Sequence, residues 1–440
     1  MKKRGLKGVI ILGILLLLAI CIDAKAIAQE KIIKIGVLGP MKFSMGLQEW
    51  WTAEIATDEI NAAGGVSIQG TKYKVEVIET ESNEVLSVVD AVAAAERLTS
   101  VNKVNFIIGG HRSEAALAIQ ELLADKRVIF LNTQAAHPNL IARVNENYDR
   151  FKYFFRLQTN AAELGKAMYA YIDMIGDKLK EELKIDKCDV AIVAEKAAWT
   201  EGLVKGAPGE LEKIGMKVVG VWQPSATATD VTAELRAVKG AGAHIIFQLF
   251  SGPVGNVISR EWGQVKIPAV LAGTNTEGGT FKHWEATGGA CQYEVVHGIF
   301  GPAKMSPKTL PLWDKVVAKH TEFLAATAVG YDAIYVLVDA VQRADSLESD
   351  KVLAALEKTD YVGSMGRITF YPKGHKWAHD MKWGAKLYTM AANQWQDGKL
   401  KVVWPDGKHG AGYEGVRWEG AADIKLPPWA AQYWKGRSGK

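Results

Sequence analysis

Residues 105–120 read NFIIGGHRSEAALAIQ, and this stretch decides the fold of the chain. Its apolar start is typical of a buried strand, Gly109 and Gly110 allow a tight turn, and an alanine-rich helical pattern follows at once. A strand that turns directly into a helix is one unit of an α/β fold. The free N–H groups at the start of the helix favour an anion there, although Ser113 also fits a purely structural role as the helix cap.

The same strand–helix unit recurs on both sides of this stretch. In the first half, strands are predicted at 31–40, 73–79 and 127–131, with helical patterns between them. A second series of predicted strands comprises DVAIVAE (189–195), MKVVGVW (216–222), AHIIFQLF (243–250) and IPAVLAG (267–273). This alternation predicts parallel sheets with helices on both faces, and two such series predict two lobes.

The last third of the chain departs from this alternation. Residues 310–343 show helical patterns without partner strands, so we expect them to pack back on the first lobe. Residues 386–405, KLYTMAANQWQDGKLKVVWP, predict a hairpin that turns near Asp397 and Gly398.

The N-terminus has the pattern of a secretory signal peptide. A basic start, MKKRGLKG, precedes the apolar run VIILGILLLLAI and a site with small residues, and we expect export with cleavage near Ala28. Residues 1–28 contain five basic residues and one acidic residue, so the rest of the chain has 48 of each. A chain of balanced charge argues against nucleic-acid binding through a basic surface.

Motifs for catalysis, cofactors and metal ions are missing from the sequence. It contains no dinucleotide-binding glycine loop, phosphate-binding loop, nucleophile elbow or zinc-protease helix. His375, His379 and Asp380 lie close together, but Pro372 and Gly374 come just before them, so we expect an exposed turn and not a metal site. The sequence leaves open a disulfide between the distant Cys188 and Cys291. We therefore predict a binding protein without cofactor or metal ion, and not an enzyme.

The position of the binding site follows from the predicted sheets. Ligands of open α/β sheets bind beyond the carboxyl ends of the strands. In this chain those ends carry the loops at 39–46, 109–113, 131–138, 194–201, 248–253 and 273–279. Two lobes would place these loops face to face across a cleft.

Several stretches resemble a known family. IGVLGPM with INAAGGV, then IIGGHRSEAALA, IFLNTQAAHPNL and GYDAIYVLVDAV, are similar to the periplasmic branched-chain amino-acid-binding proteins of ABC importers, over about residues 31–405. The resemblance implies a type I periplasmic binding fold, in which two Rossmann-like lobes with parallel sheets are joined by three hinge crossings. The crossings are expected near 155–160, 295–302 and 365–375. The predicted division is 1–28 for the signal peptide, 31–155 plus 300–365 for the first lobe, and 156–299 plus 366–440 for the second.

The resemblance also implies a set of solute-binding residues. In the family, the GG…S loop and the loop after the next strand grip the carboxylate and ammonium of an amino acid, and Ser113 matches the serine. Ala136 stands where the family has a threonine, and the acidic partner of the ammonium is missing after IIFQLF. The predicted ligand-binding residues are Phe43, Met45, His111, Arg112, Ser113, Thr133, Gln134, Ala135, Glu195, Trp199, Phe250, Ser251, Asn275 and Glu277.

These departures change the expected solute. A buried ammonium without a carboxylate is costly, which argues against an ordinary α-amino acid. Arg112 supplies a two-pronged donor that suits a carboxylate. We favour an acid with an apolar or aromatic body, and amino acids stay open because Glu195 or Glu277 could supply the missing carboxylate.

The predicted function is capture of a small organic solute in the periplasm by a monomer, which delivers it to a membrane ABC permease. Two alternatives stay open. A sensory module would use the same lobes to signal to a partner protein. An exported hydrolase would use Glu195 or Glu277 together with His111.

Overall fold

The structure is a computed structural model that describes residues 30–298, 300–320, 329–410 and 412–437. The predicted signal peptide and its cleavage near Ala28 lie outside the described residues. In the part of the chain that is described, no helix is both long enough and apolar enough to cross a bilayer.

The strands and helices alternate along most of the chain. The strands are β1 (Lys31–Gly39), β2 (Val66–Ile68), β3 (Thr71–Glu81), β4 (Phe106–Gly109), β5 (Ile129–Asn132), β6 (Phe154–Arg156), β7 (Cys188–Ala194), β8 (Met216–Trp222), β9 (Ile245–Phe250), β10 (Val270–Asn275), β11 (Val295–Gly298), β12 (Tyr361–Gly363), β13 (Gly366–Ile368), β14 (Ala391–Gln396) and β15 (Lys399–Trp404). The α-helices are α1 (Ser44–Ala62), α2 (Val88–Ser100), α3 (Ser113–Lys126), α4 (Asn139–Glu146), α5 (Tyr148–Phe151), α6 (Ala161–Leu183), α7 (Ala198–Lys213), α8 (Thr232–Ala241), α9 (Val254–Gln264), α10 (Phe281–Thr287), α11 (Thr309–His320), α12 (Val329–Ala344), α13 (Ser349–Leu356) and α14 (Pro428–Lys435).

The first sheet has the strand order β2-β3-β1-β4-β5-β6. Its neighbouring strands are parallel except for the antiparallel pair β2 and β3. Ile35 and Val37 pack in one apolar layer with Phe106, whereas Leu38 packs in a separate layer, because successive side chains of a strand point to opposite faces. The parallel sheet with helices on both faces, predicted for the first half, is confirmed.

The second sheet has the strand order β15-β14-β11-β10-β9-β7-β8. Strands β7 to β11 are parallel, and β14 and β15 extend the sheet as an antiparallel hairpin. Asp397 and Gly398 join β14 to β15 with φ of 54° and 72°, which suits a two-residue hairpin turn. The predicted second α/β unit and the predicted hairpin are both confirmed.

Helices α11 and α12 pack on the first sheet. Leu312 and Val316 of α11 and Ile334 and Leu337 of α12 share one apolar core with Ile35 of β1. The prediction that this helical region returns to the first lobe is therefore confirmed.

The last passage between the two cores lies later than expected. Ile368, Phe370 and Tyr388 pack in the core of the first sheet, whereas Met390 and Ala392 pack in the core of the second. These contacts shift the last crossing from the expected 365–375 to 388–390. The other expected crossings and the remaining boundaries of the two lobes stay predictions.

Candidate functional site

A cavity of about 70 Å³ lies where loops at the carboxyl ends of strands from both sheets meet. Its first wall, on the side of the first sheet, consists of Met45, His111, Ser113, Gln134 and Ala136. Its second wall consists of Leu164, Trp199, Ser251, Thr274, Thr276 and His297, and Gln158 lies between the walls. Six predicted ligand-binding residues therefore meet here, namely Met45, His111, Ser113, Gln134, Trp199 and Ser251.

Ser113 is the first residue of α3 and faces this cavity. The turn before it has left-handed backbone at Gly109 (φ 115°) and Gly110 (φ 84°), and a Cβ on Gly109 would lie 2.0 Å from the Leu38 carbonyl oxygen. Arg112, not Ser113, is the N-cap residue, and its side chain caps nothing. The Ser113 hydroxyl is buried and has no hydrogen-bond partner among the described residues. The alternative role of Ser113 as a helix cap is therefore not seen.

The buried carboxyl group of Glu84 stabilises the turn through hydrogen bonds to its backbone. Its Oε2 accepts the backbone N–H groups of His111 and Arg112, each at 2.8 Å. Burial raises the pKa of Glu84 to about 7, although these backbone donors and Ser82 oppose the shift. Part of the anion-binding capacity of the turn is thus used by the protein itself, and sequence reasoning did not identify Glu84.

Arg112 points away from the cavity lining and joins the two walls. Its guanidinium donates to Glu195 Oε1 at 2.9 Å and to Ser251 Oγ at 3.1 Å. Arg112 and Glu195 are both largely buried. The two-pronged donor that sequence analysis assigned to the solute therefore has a carboxylate partner within the protein.

Glu195 is fully engaged by protein groups. Besides Arg112, its Oε1 accepts the indole N–H of Trp199 at 3.0 Å and the hydroxyl of Ser251 at 2.5 Å. Its Oε2 accepts the backbone N–H of Gly252 at 2.9 Å. The carboxylate fixes Trp199 and Ser251, whereas Glu195 itself is absent from the cavity lining.

Two further contacts close the cleft above the cavity. His111 Nε2 lies 3.0 Å from the Ser251 carbonyl oxygen, and Glu114 Oε1 accepts the backbone N–H of Ala198 at 2.9 Å. Burial lowers the pKa of His111. Together with the Arg112–Glu195 pair, these contacts describe a closed arrangement of the two walls.

The loop after β5 is held by a second buried carboxyl group. Thr133 Oγ1 and Gln134 Nε2 both donate to Glu49 of α1, and Gln134 Nε2 also donates to the Met45 carbonyl oxygen at 3.1 Å. Burial raises the pKa of Glu49 to about 7, against the opposing effect of these donors. Thr133 therefore supports the first wall from behind, and Gln134 both supports and lines it.

Five other predicted residues lie outside the cavity lining. Phe43 precedes α1 as its N-cap residue, Ala135 packs in the core beneath the first sheet, and Phe250 packs in a core of the second. Asn275 donates to Glu294 at 2.9 Å, and Glu277 accepts from Asn256 at 3.3 Å. Apart from the half-buried Phe43, these side chains lie in the interior of the protein.

The second wall contains polar residues that sequence reasoning missed. His297 lies on β11, and its Nδ1 is buried without a hydrogen-bond partner among the described residues. Burial lowers the pKa of His297 to about 4, so the ring is neutral at pH 7. Thr276, directly after β10, has a buried hydroxyl that likewise lacks a partner in the described part of the chain. The signal for both was their position at the carboxyl ends of parallel strands.

One cluster has the composition of a metal site. His283, Cys291 and Glu294 are buried and offer ligand atoms within 4.8 Å of one another. In this structure His283 Nε2 lies 2.8 Å from Glu294 Oε2, and His283 Nδ1 lies 2.7 Å from Asn256 Oδ1. Although burial alone lowers it, the Glu294 carboxylate raises the pKa of His283 to about 10, so the two form a buried ion pair. The absence of a metal ion from the protein stays a prediction.

The other cysteine and histidine expectations have clear outcomes. Cys188 and Cys291 are both free and buried, so the disulfide left open by the sequence is not formed. His379 is bonded to Glu357 and to the Phe154 carbonyl oxygen, and Asp380 is bonded to Arg156. The segment at 375–380 is a turn, as predicted, but the expected exposure is wrong for His379 and Asp380, which are buried by these contacts.

Comparisons with known proteins show which proteins this chain is similar to. An "Amino acid binding protein" of Pseudomonas aeruginosa is 24% identical over 382 residues, which cover 85% of this chain and 94% of the relative. The branched-chain amino-acid transporter substrate-binding protein LivJ of Streptococcus pneumoniae, solved with isoleucine, has a TM-score of 0.67 at 21% identity and covers 85% of this chain and 99% of its own. A solute-binding protein of an ABC transporter from Rhodopseudomonas palustris HaA2, solved with p-hydroxybenzoic acid, has a TM-score of 0.68 at 18% identity, covering 89% of this chain and 98% of its own.

The two solved structures confirm the type I periplasmic binding fold expected from the sequence. The family model described as "Periplasmic binding protein" matches residues 32–385, which is most of the chain and includes both walls of the cavity. This protein therefore belongs to the periplasmic binding protein family.

Proposed function

We propose that this protein is the exported solute-binding component of an ABC importer, and that it holds a small organic acid in the cavity between its two walls. The observation that carries the proposal is the partnerless hydroxyl of Ser113, which is buried at the start of α3 and faces a cavity closed from both sides. Membership of the periplasmic binding protein family supports export and solute binding.

The carboxylate of the solute would lie against Ser113. The first N–H groups of a helix carry positive potential and suit an anion, and the Ser113 hydroxyl adds a donor at the same point. Among the relatives, one is named for amino-acid binding, one was solved with isoleucine and one with p-hydroxybenzoic acid. A carboxylate is common to the two ligands seen in those structures, which supports this orientation.

Closure around the solute would provide the signal for the permease. The Arg112–Glu195, His111–Ser251 and Glu114–Ala198 contacts join the two walls over the cavity. A solute that bridges both walls adds binding free energy to the closed form only, and so increases its population. We expect the permease to distinguish the closed form from the open one.

Binding without turnover is part of the proposal. Glu195 and Glu277, the carboxylates considered for a hydrolase, both lie outside the cavity lining. Glu195 holds Arg112, Trp199 and Ser251. A nucleophile paired with a free base is what hydrolysis would require, and the lining described here does not offer that pair.

Isothermal titration calorimetry tests this function. The mature chain would be titrated with leucine, isoleucine, benzoate, 4-hydroxybenzoate and short aliphatic acids, and we expect at least one acid to bind with a Kd in the micromolar range or tighter. Ser113→Ala should weaken that binding, and Ser100→Ala, at the exposed end of α2, is the matched control. If no solute binds, or if the bound acid is converted to a product, the proposal is wrong.

A further inference from the structure

The second wall presents two unused hydrogen-bonding atoms to the solute. Thr276 Oγ1 and His297 Nδ1 are buried, lack a partner among the described residues, and belong to side chains that line the cavity. They come from the ends of the neighbouring parallel strands β10 and β11. Buried polar atoms are nearly always hydrogen-bonded in proteins, so a pair left open at a cavity points to a ligand group.

We infer that the solute is a monocarboxylic acid with a hydroxyl or carbonyl group at the end opposite its carboxylate, and that His297 and Thr276 select this group. This inference rests on the proposed function. Ser113 belongs to the first wall, whereas His297 and Thr276 belong to the second, so one solute that satisfies all three must be polar at both ends. A solute that is polar at only one end would leave either Ser113, or His297 and Thr276, without a hydrogen-bond partner and without access to water.

The chemistry of the second wall favours an uncharged polar group. A neutral imidazole has one N–H donor and one acceptor nitrogen, and a threonine hydroxyl both donates and accepts. Such groups match a hydroxyl or a carbonyl. His297 is half-buried, and because desolvation lowers its pKa to about 4, the ring offers no cation to a second carboxylate at pH 7.

The same lining excludes an ammonium group. No aspartate or glutamate side chain lines the cavity among the described residues. The carboxylates of Glu195 and Glu49 are bonded to protein groups, since Glu195 accepts from Arg112 and Glu49 accepts from Thr133 and Gln134. A buried ammonium would therefore lack a carboxylate partner, which is unfavourable. An amino acid fits this site worse than the corresponding acid without the amino group.

The body of the solute is expected to be compact and apolar. Met45, Ala136, Leu164 and Trp199 supply apolar surface between the polar ends, and the cavity measures only about 70 Å³. An aromatic ring can stack on Trp199, and a short aliphatic chain can pack there as well. The experiment therefore includes one aromatic and one aliphatic pair of probes.

The test compares acids that differ only in the distal group. Titration calorimetry at pH 7 would measure 4-hydroxybenzoate against benzoate, 4-hydroxybutyrate against butyrate, and leucine. In at least one pair we expect the hydroxylated acid to bind about 10-fold more tightly than its parent, and more tightly than leucine, as one buried hydrogen bond allows. Equal binding within both pairs, or tightest binding of leucine, would overturn the inference.

Variants assign the preference to the second wall. His297→Phe keeps an aromatic ring but removes the ring nitrogens, and it should abolish the 10-fold preference for the hydroxylated acid over its parent. His297→Gln, which retains a donor and an acceptor, should restore part of the preference, and Thr276→Val should reduce it. His375→Phe is the matched control because His375 stacks on Tyr371 in a turn outside the cavity lining. An unchanged preference in His297→Phe would contradict the role of His297.

The outcomes separate this inference from the proposed function. If no acid of the panel binds at all, the proposed function itself fails. If acids bind without regard to the distal hydroxyl, the function stands and only the inference fails. Thermal unfolding of each variant shows whether it is folded. If His297→Phe does not fold, the Thr276→Val variant tests whether the second wall selects the distal group.

Discussion

The two walls of the cavity are held in place by different chemistry. Behind the first wall, Glu49 and Glu84 are buried carboxyl groups whose hydrogen bonds come from uncharged side chains and backbone N–H groups. Behind the second wall, the buried carboxylate Glu294 is paired with the cationic ring of His283 and accepts from Gln248 and Asn275. Burial raises the pKa of the two unpaired groups, whereas the ion pair lowers the pKa of Glu294 despite its burial.

The difference between carboxyl groups without a cation and a carboxylate in an ion pair indicates two ways in which a buried acid can support a binding site. A carboxyl group without a cation can keep its proton, so the first wall avoids a buried charge and depends on pH near neutrality. An ion pair keeps both charges over a wide pH range, but the loss of one partner leaves the other buried and unpaired. We therefore expect the second wall to be insensitive to pH and sensitive to mutation, and the first wall to show the opposite behaviour.

The largest expected effect is loss of the ion pair behind the second wall. His283→Gln removes the cation, keeps a hydrogen-bonding group, and should lower the free energy of unfolding by about 3 kcal/mol, because Glu294 is left buried without its partner. Urea unfolding at pH 7 measures the change. The double variant with Glu294→Gln should recover most of the loss, and a double variant as unstable as the single one would show that the charge is not the cause.

The contact between the walls should have the next largest effect. Arg112→Ala removes the cation that joins Glu195 and Ser251 in the closed form, so solute binding should weaken by about 3 kcal/mol, or roughly 100-fold. The loss should be the same for every solute, because the guanidinium of Arg112 is bonded to Glu195 and Ser251 of the opposite wall. Calorimetry with two different acids measures it, and Arg150→Ala, at an exposed ion pair with Glu121, is the control.

Adding Glu195→Gln to Arg112→Ala sharpens this prediction. The amide leaves no unpaired charge at the closed interface, so part of the lost affinity should return. If the single Arg112 variant weakens acids but leaves an uncharged solute analogue unaffected, Arg112 contacts the solute directly, as the sequence suggested.

Ser113→Ala should produce a smaller loss in the first wall. The hydroxyl offers one hydrogen bond to a carboxylate, and bonds to charged groups are worth about 1.5–3 kcal/mol. We expect the lower end of this range, which raises the Kd roughly 10-fold. The variant should unfold at the same urea concentration as the parent, because the hydroxyl has no partner in the described protein. An unchanged Kd would remove Ser113 from the site.

The sequence predicted the scaffold and the first wall better than the second. Alternating apolar patterns placed the strands, and the Gly109–Gly110 turn placed Ser113, because both are local features of the chain. In the second wall, Phe250 and Ser251 show that adjacent residues can have different roles. They are adjacent at the end of β9, yet Phe250 packs in the core and Ser251 lines the cavity, because neighbouring side chains of a strand point in opposite directions.

Contacts between distant residues explain what local sequence patterns did not reveal. Arg112 looked like a free cation, and its partner Glu195 lies 83 residues later on the other side of the cleft. His297 was read as part of a hinge strand, and no turn motif marks it as a lining residue. The structure shows what local patterns do not, namely which polar side chains are hydrogen-bonded to one another and which have no partner within the described protein.

The smallest effect concerns the pH dependence of the first wall. The pKa of Glu49 is about 7 in the folded protein and 4.5 for an ordinary glutamate, so the folded state binds more protons between these values. Stability from this group is therefore complete below pH 4.5 and falls as the pH rises towards 7 and above. Glu49→Gln, which cannot ionise, should leave unfolding unchanged near pH 4.5 and stabilise the protein by about 1 kcal/mol at pH 8.

Urea unfolding at the two pH values measures this difference, with Glu54→Gln on an exposed part of the same helix as the control. Glu54 pairs with Lys319 near the surface, where solvent screens the charge, so its variant should show little pH-dependent gain. An equal gain in Glu54→Gln would show that the effect is not specific to Glu49. A gain for Glu49→Gln that is as large at pH 4.5 as at pH 8 would mean that the Glu49 carboxyl group is ionised throughout. The first wall would then carry a buried charge like the second, and the contrast between them would lie only in the cation that the first wall lacks.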